Sequence, residues 1–175
     1  MAPAGEKDFF AADTPLYDAC AELVHMACER AVTVGTAESC TGGLVAGSLT
    51  AVPGSSAVVR GGVVSYAIPV KHEVLGVSSE VLDAPDVGAV SSECAAQMAE
   101  GARRVLAADV AVSVTGIAGP GGEEPGKPVG TVWMGLATPS GVRTQLFSFN
   151  GSRAEVRRAA VEAAVGLLRE GVVEA

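Results

Sequence analysis

The stretch Ala31-Val32-Thr33-Val34-Gly35-Thr36-Ala37-Glu38-Ser39-Cys40-Thr41-Gly42-Gly43-Leu44-Val45-Ala46-Gly47-Ser48-Leu49 decides the fold. Ala31 to Val34 is apolar and reads as a buried strand that runs on to Thr36. Leu44 to Leu49 has helical spacing, and the predicted helix spans about Thr41 to Ala51, where Pro53-Gly54 stops it. Between strand and helix stand hydroxyls, one thiol and two glycines. A strand that turns sharply into a helix places backbone N–H groups and a positive dipole end beside potential nucleophiles. This turn is the expected active site.

Working outward, residues 1–13 read as a flexible tail. Thr14-Pro15 reads as an N-cap followed by proline at the first helical position. Leu16, Cys20, Leu23, Val24 and Ala27 then mark a helix to about Arg30. Downstream, 56–67 reads as a strand bulged at Gly61-Gly62, 71–76 as a short helix, and 78–88 as a loop with one helical turn. Ser91 caps a helix to Ala107. Asp109 to Thr115 alternates as a strand. Gly116 to Gly130 is a glycine- and proline-rich loop. Thr131–Ala137 and Val142–Phe149 form a hairpin around Pro139-Ser140-Gly141. Ser152-Arg153-Ala154-Glu155 is a capping box opening the last helix. Helices interleave with strands before the hairpin closes the sheet. The expectation is an α/β fold: one domain over 14–175, three-layer α/β/α, with a mixed, mostly parallel sheet.

The 175 residues suit a single core, and 49% hydrophobic residues exclude a disordered chain. The formal net charge of -8 argues against nucleic acid as a partner. It leaves room for an anionic small molecule held by a local arginine or helix terminus. Cys20, Cys28, Cys40 and Cys94 contain no C-x-x-C pair, and His25 and His72 are the only histidines, so no zinc spacing exists. The thiols read as reduced and mostly buried. With no apolar run near about 18 residues, no membrane partner is expected, and the localisation inferred is cytoplasmic.

Ser39 is the sharpest chemical candidate, because a serine needs a base within hydrogen-bond reach. With histidines scarce, a lysine whose pKa is lowered by burial is the alternative. Lys71 follows the second strand and Tyr66 ends it, so both can converge on Ser39 at one sheet edge. The bland readings remain open: a capping hydroxyl for Ser39 and a solvated amine for Lys71. Cys40 is the rival nucleophile or a small buried filler. Thr41 caps or touches a ligand, and Glu38 orients a base or a ribose hydroxyl. Gly116 to Gly122 lies on a sheet edge, where its glycines let backbone approach a ligand. Gly121 to Lys127 matches G-x-x-x-x-G-K, but Pro128 replaces the required hydroxyl and a strand follows, which excludes a P-loop. Arg153 and Arg157 share a helix face that suits an anion or solvent.

Several strings occur together in order over about residues 16 to 170. They are Ala37-Glu38-Ser39-Cys40-Thr41-Gly42-Gly43; Ser65-Tyr66-Ala67 with Lys71-His72; Gly88-Ala89-Val90-Ser91; Val114-Thr115-Gly116-Ile117-Ala118-Gly119-Pro120; Lys127-Pro128-Val129-Gly130-Thr131-Val132; and Gly151-Ser152-Arg153 with Arg157. This set resembles the CinA C-terminal domain family, also called the nicotinamide-nucleotide amidohydrolase family. The resemblance implies an α/β/α fold and deamidation of nicotinamide mononucleotide to nicotinic acid mononucleotide and ammonia, in pyridine nucleotide salvage.

It further implies catalytic Ser39, Lys71 and Tyr66, with substrate held by Glu38, Cys40, Thr41, Gly42, Gly43, Thr115, Gly116, Ala118, Gly119 and Arg153. Neither metal nor cofactor is required, and a homo-oligomer, commonly a dimer, is expected. Full-length relatives carry an N-terminal domain linked to ADP-ribose pyrophosphatase activity, for which 175 residues leave no room, so that activity is expected to be absent. Acidic Gly122-Glu123-Glu124-Pro125-Gly126 is a departure, since carboxylates repel a phosphate. The alternative is a non-catalytic nucleotide-binding or interaction module of the competence/damage-inducible type.

Overall fold

The computed structural model describes residues 10–175. The expected tail lies outside the described residues up to residue 9; beyond it, the Phe10 ring lies close over Gly47. Helix α1 (Pro15–Arg30) starts where expected, with the Thr14 side chain accepting from the Tyr17 amide. It ends on Ala31 in the left-handed conformation, φ 55°. That cap pushes the first strand downstream of the reading from sequence: β1 is Val34–Glu38, all buried. Glu38 therefore ends a central strand. Gly42 and Gly43 take φ of +64° and +95°, values L side chains rarely adopt, and so let the chain reverse before α2 (Leu44–Thr50).

A 3-10 turn (Ser55–Ala57) leads into β2 (Val59–Val64). Its register against β1 slips between Val59 and Gly61, so the expected irregularity sits at Arg60-Gly61. Helix α3 (Ile68–Glu73) begins before the expected 71–76, because Pro69 takes a first-turn position where its missing N–H costs nothing. Lys71 consequently lies inside the helix. The single turn α4 (Ser79–Leu82) precedes α5 (Ser92–Leu106), whose Ser91 cap accepts from the Cys94 amide. Strands β3 (Val110–Gly116), β4 (Thr131–Thr138) and β5 (Gly141–Ser148) follow, and α6 (Arg153–Glu174) opens with the expected capping box.

The sheet order is β2-β1-β3-β4-β5. The β2–β1 and β1–β3 pairs are parallel, and the β3–β4 and β4–β5 pairs are antiparallel. Strand β4 alone thus opposes the common direction, as a mixed, mostly parallel sheet requires. Helices α1, α2 and α6 pack Leu23, Leu49, Val161 and Leu168 onto Val34, Val112 and Met134 on one face. On the other, Cys94, Met98 and Ala102 of α5 join Leu75, Val77 and Leu82 over Ala37 and Ala111. Each fully buried leucine contributes about 1.5–3 kcal/mol of apolar burial.

The chain leaves β1 for β2 on one side and returns to β3 on the other. The carboxyl ends of β1, β2 and β3 therefore open on one crevice at a topological switch. Close approach of α2 to this edge depends on Gly62, where an added Cβ would stand 2.5 Å from Thr36 Oγ1 and 2.8 Å from Ala46 Cβ. Gly62→Ala is expected to lower stability by about 1–3 kcal/mol in urea unfolding through overpacking. Gly166→Ala, in helical backbone with nothing within 4 Å of the added carbon, is expected to raise it by about 0.5–1 kcal/mol.

Candidate active site

The turn after β1 is held by the carboxylate that ends the strand. Glu38 is fully buried. Its Oε2 accepts from the amides of Gly43 (2.9 Å) and Val45 (3.0 Å), and its Oε1 from the Ala46 amide (2.8 Å) and Thr36 Oγ1 (3.1 Å). The Gly43 amide and the second and third amides of α2, which a helix cannot satisfy internally, thus end on Glu38, while the Leu44 amide donates to the Thr41 carbonyl (3.4 Å). This corrects the expectation that Glu38 and the Gly43 amide face substrate: both are spent on each other. The Gly42 amide donates to the Ser39 carbonyl (3.1 Å). The amides of Cys40 and Thr41 have no oxygen acceptor among the described residues, which leaves them as the turn's available donors.

Ser39 and Lys71 meet. Lys71 Nζ lies 2.9 Å from Ser39 Oγ and also reaches the carbonyls of Ser65 (2.5 Å) and Tyr66 (3.4 Å). Lys71 is 1% exposed, which removes the solvated-amine reading. Burial, by stripping water from the ammonium, holds its pKa below the ordinary lysine value. Nζ donates to all three oxygens around it, the Ser39 hydroxyl and the Ser65 and Tyr66 carbonyls. The Ser65 carbonyl was not singled out from sequence, although its place at the end of β2, six residues before Lys71, is visible there.

Tyr66 reaches the cluster differently from the expectation. Its backbone carbonyl faces Lys71, whereas its side chain is 63% exposed and its hydroxyl accepts from Arg153 Nη2 at 3.3 Å. No hydrogen bond joins that hydroxyl to Ser39 or Lys71 among the described residues. Arg153 also donates through Nη1 to the Gly119 carbonyl (2.9 Å), so it ties the 116–122 loop to the rim of the crevice. Arg157, for which the sequence left an anion or solvent as partner, instead donates to the carbonyls of Cys40 (Nε, 3.1 Å) and Thr41 (Nη2, 2.8 Å).

Cys40 is buried, and that burial pushes its thiol up to about 11, so a thiolate is disfavoured despite the nearby Lys71 and Arg157. Cys94, facing Lys71 from α5, is likewise pushed up to about 11 by burial. Thr41 is fully buried and its Oγ1 has no partner among the described residues. His25 pairs with Glu29 on an exposed face of α1, and His72 Nδ1 meets the Val77 carbonyl at 2.7 Å; neither reaches Ser39.

Three of the expected loop contacts are structural. Thr115 donates its hydroxyl to the Ala89 carbonyl (2.6 Å) and is buried. Gly116 permits close strand pairing, since an added Cβ would meet the Thr131 carbonyl oxygen at 2.6 Å. Ala118 sits in the core. Gly119, at φ +83°, presents its carbonyl to Arg153. The acidic segment is neutralised in part: Lys127 Nζ donates to Glu124 (2.9 Å) and to the Val87 carbonyl (2.7 Å). A cavity of about 440 Å³ lined by Glu100, Arg103, Arg104 and Thr138 lies at the other end of α5 and shares no residue with this cluster.

The family described as the CinA C-terminal domain matches residues 17–172. The chain belongs to the CinA C-terminal domain family. It is 38% identical over 170 residues to a CinA-like protein of Fervidobacterium nodosum, an alignment covering 97% of this chain and 40% of that protein. It is 53% identical over 140 residues to a CinA-like protein of Anaeromyxobacter dehalogenans, covering 80% and 34% respectively. The chain thus spans well under half the length of these curated relatives.

Among solved structures, the competence/damage inducible protein CihA from Agrobacterium tumefaciens superposes with a TM-score of 0.84 at 42% identity, covering 87% of this chain and 93% of that one. A CinA superfamily protein from Klebsiella pneumoniae gives 0.87 at 33% identity, covering 93% and 100%. This CinA C-terminal domain therefore has close counterparts of its own size. No helix among the described residues is long and apolar enough to cross a membrane.

Glu38→Ala would leave three backbone amides without their buried acceptor. Charged acceptors contribute about 1.5–3 kcal/mol per hydrogen bond and caps about 1 kcal/mol. The expected loss, partly offset by water entering the gap, is about 3 kcal/mol in denaturant unfolding. A change below about 0.5 kcal/mol would contradict the capping role.

Proposed function

We propose that this domain hydrolyses the carboxamide of nicotinamide mononucleotide, releasing ammonia and nicotinic acid mononucleotide, with Ser39 as nucleophile and Lys71 as base. The observation that carries this reading is the 2.9 Å contact between Ser39 Oγ and a buried lysine whose pKa is lowered. A neutral amine removes the serine proton as Oγ attacks the carboxamide carbon. Collapse of the tetrahedral intermediate breaks the C–N bond, and the proton on Lys71 leaves with ammonia. Water then attacks the acyl ester, giving a proton to Lys71, which returns it to Ser39. The amides of Cys40 and Thr41 are the donors suited to the oxyanion, each worth about 3 kcal/mol by analogy.

Arg153, exposed at the rim beside Tyr66 and the 116–122 loop, offers its positive charge to the 5′-phosphate. Tyr66 serves as a wall for substrate in this scheme, and proton transfer falls to Lys71 alone. Family membership supports the substrate class through the resemblance of the motifs. The raised thiol of Cys40 disfavours a cysteine nucleophile.

Pure protein incubated with nicotinamide mononucleotide is expected to release ammonia. Ser39→Ala and Lys71→Met are each expected to lower kcat/KM by about 10³-fold or more, with Cys40→Ala retaining most activity. No ammonia from the wild type would contradict the reaction. Loss in the Cys40 variant with retention in the Ser39 variant would reverse the nucleophile.

A further inference from the structure

Arg157 has no place in the chemistry above, yet its guanidinium is committed to the nucleophile turn. It crosses from the first turns of α6 to take two consecutive carbonyls, Cys40 (Nε, 3.1 Å) and Thr41 (Nη2, 2.8 Å), across 117 and 116 residues of sequence. A trans peptide is planar, with C=O and the following N–H pointing in opposite directions. Pulling the Cys40 carbonyl toward Arg157 therefore turns the Thr41 N–H the opposite way. Pulling the Thr41 carbonyl does the same to the Gly42 N–H, and that amide is found on the Ser39 carbonyl at 3.1 Å. Two peptide planes of the turn are thus fixed by one side chain.

Two amides of the turn are left over, those of Cys40 and Thr41, and of these only the Thr41 amide belongs to a peptide whose carbonyl Arg157 holds. Glu38 consumes the Gly43, Val45 and Ala46 amides, and Gly42 bonds Ser39. The Thr41 amide, whose plane Arg157 holds, has no protein acceptor among the described residues. A cation on the carbonyl side of a peptide also draws electron density from its N–H and strengthens it as a donor. An unsatisfied amide whose peptide plane is held and polarised fits a charge that develops during reaction.

We infer that Arg157 is a positioning residue: it holds and polarises the Cys40–Thr41 peptide so that the Thr41 N–H receives the oxyanion formed when Ser39 is acylated. This rests on the proposed Ser39 chemistry. Lysine does not substitute, because a single ammonium lacks the fork that spans two adjacent carbonyls.

The test uses the full chain with Arg157→Lys and Arg157→Ala. With nicotinamide mononucleotide, kcat is expected to fall about 10–100-fold, short of full loss of an oxyanion donor, while KM stays within about threefold. Pyridine-3-boronic acid, which forms a tetrahedral adduct on a nucleophilic serine, is expected to bind more weakly in parallel with kcat. The backbone ¹H–¹⁵N resonance of Thr41 is expected to shift in the free variants, with resonances of β4 and β5 unmoved.

Unchanged kcat, or an unmoved Thr41 resonance with unchanged boronate affinity in a folded variant, would overturn the inference. So would collapse of both variants, which would make Arg157 a purely structural clamp. If the wild type releases no ammonia from the nucleotide, the reaction fails on its own; a weakened boronate adduct and a shifted Thr41 amide would still uphold the positioning role.

Discussion

The buried carboxylate of Glu38 is the constraint on which the site depends. A carboxylate removed from water is tolerated only when its oxygens are fully engaged. Glu38 achieves this by accepting from Thr36 and from three backbone amides at the start of α2. The same contacts force β1 to end, the chain to reverse through Gly42 and Gly43, and α2 to begin directly beyond. Ser39, next in sequence, is thereby fixed at the lip of the crevice. Its amide donates to Val114 on β3 (2.9 Å) and its carbonyl accepts from Gly42, so its backbone is held from both sides. The carboxylate supplies rigidity and leaves the chemistry to its neighbour.

Lys71 carries the opposite tension. A lysine buried on α3 beneath the sheet edge loses the hydration that favours its charged form. The unfolded chain therefore binds this proton more tightly than the folded one, and stability rises with pH between the folded and the unfolded pKa. Below the unfolded pKa the fold carries a cost so that the amine beside Ser39 gives up its proton more readily than a solvated lysine does. Such local cost is characteristic of sites where a group is tuned for proton transfer. The apolar layers on both faces of the sheet supply the stability that offsets it.

Features that depend on side-chain pattern or local capping were legible in the sequence. The alternation of Val110, Val112 and Val114 marked β3, Ser91 and Ser152-Glu155 marked two helix starts, and the sheet-edge logic brought Lys71 to Ser39. Features that depend on backbone groups were not. The partners of Glu38 are amides five to eight residues later, which carry no side-chain signature. Ala31 in the left-handed region displaced the first strand, because nothing distinguishes it from a strand alanine in sequence. Thr115, which the family resemblance implies as a substrate contact, has its hydroxyl on the Ala89 carbonyl, a backbone partner with no side-chain signature. Arg157 was open to an anion or solvent in the sequence because its carbonyl partners lie more than a hundred residues away. Tyr66 was placed near Lys71 correctly along the chain, but its ring turns outward to Arg153.

The central claim is that Lys71 is a base because it is buried, and its own titration tests that most directly. With lysine labelled at Nζ and Lys71 assigned through the Lys71→Met variant, the Nζ resonance can be followed against pH in the free protein. The account predicts that Lys71 loses its proton at a pH clearly below that of the exposed lysines, and that Ser39→Ala leaves this depression largely in place, since burial causes it. A Lys71 that titrates with the ordinary lysines, near or above about 10.4, would contradict it.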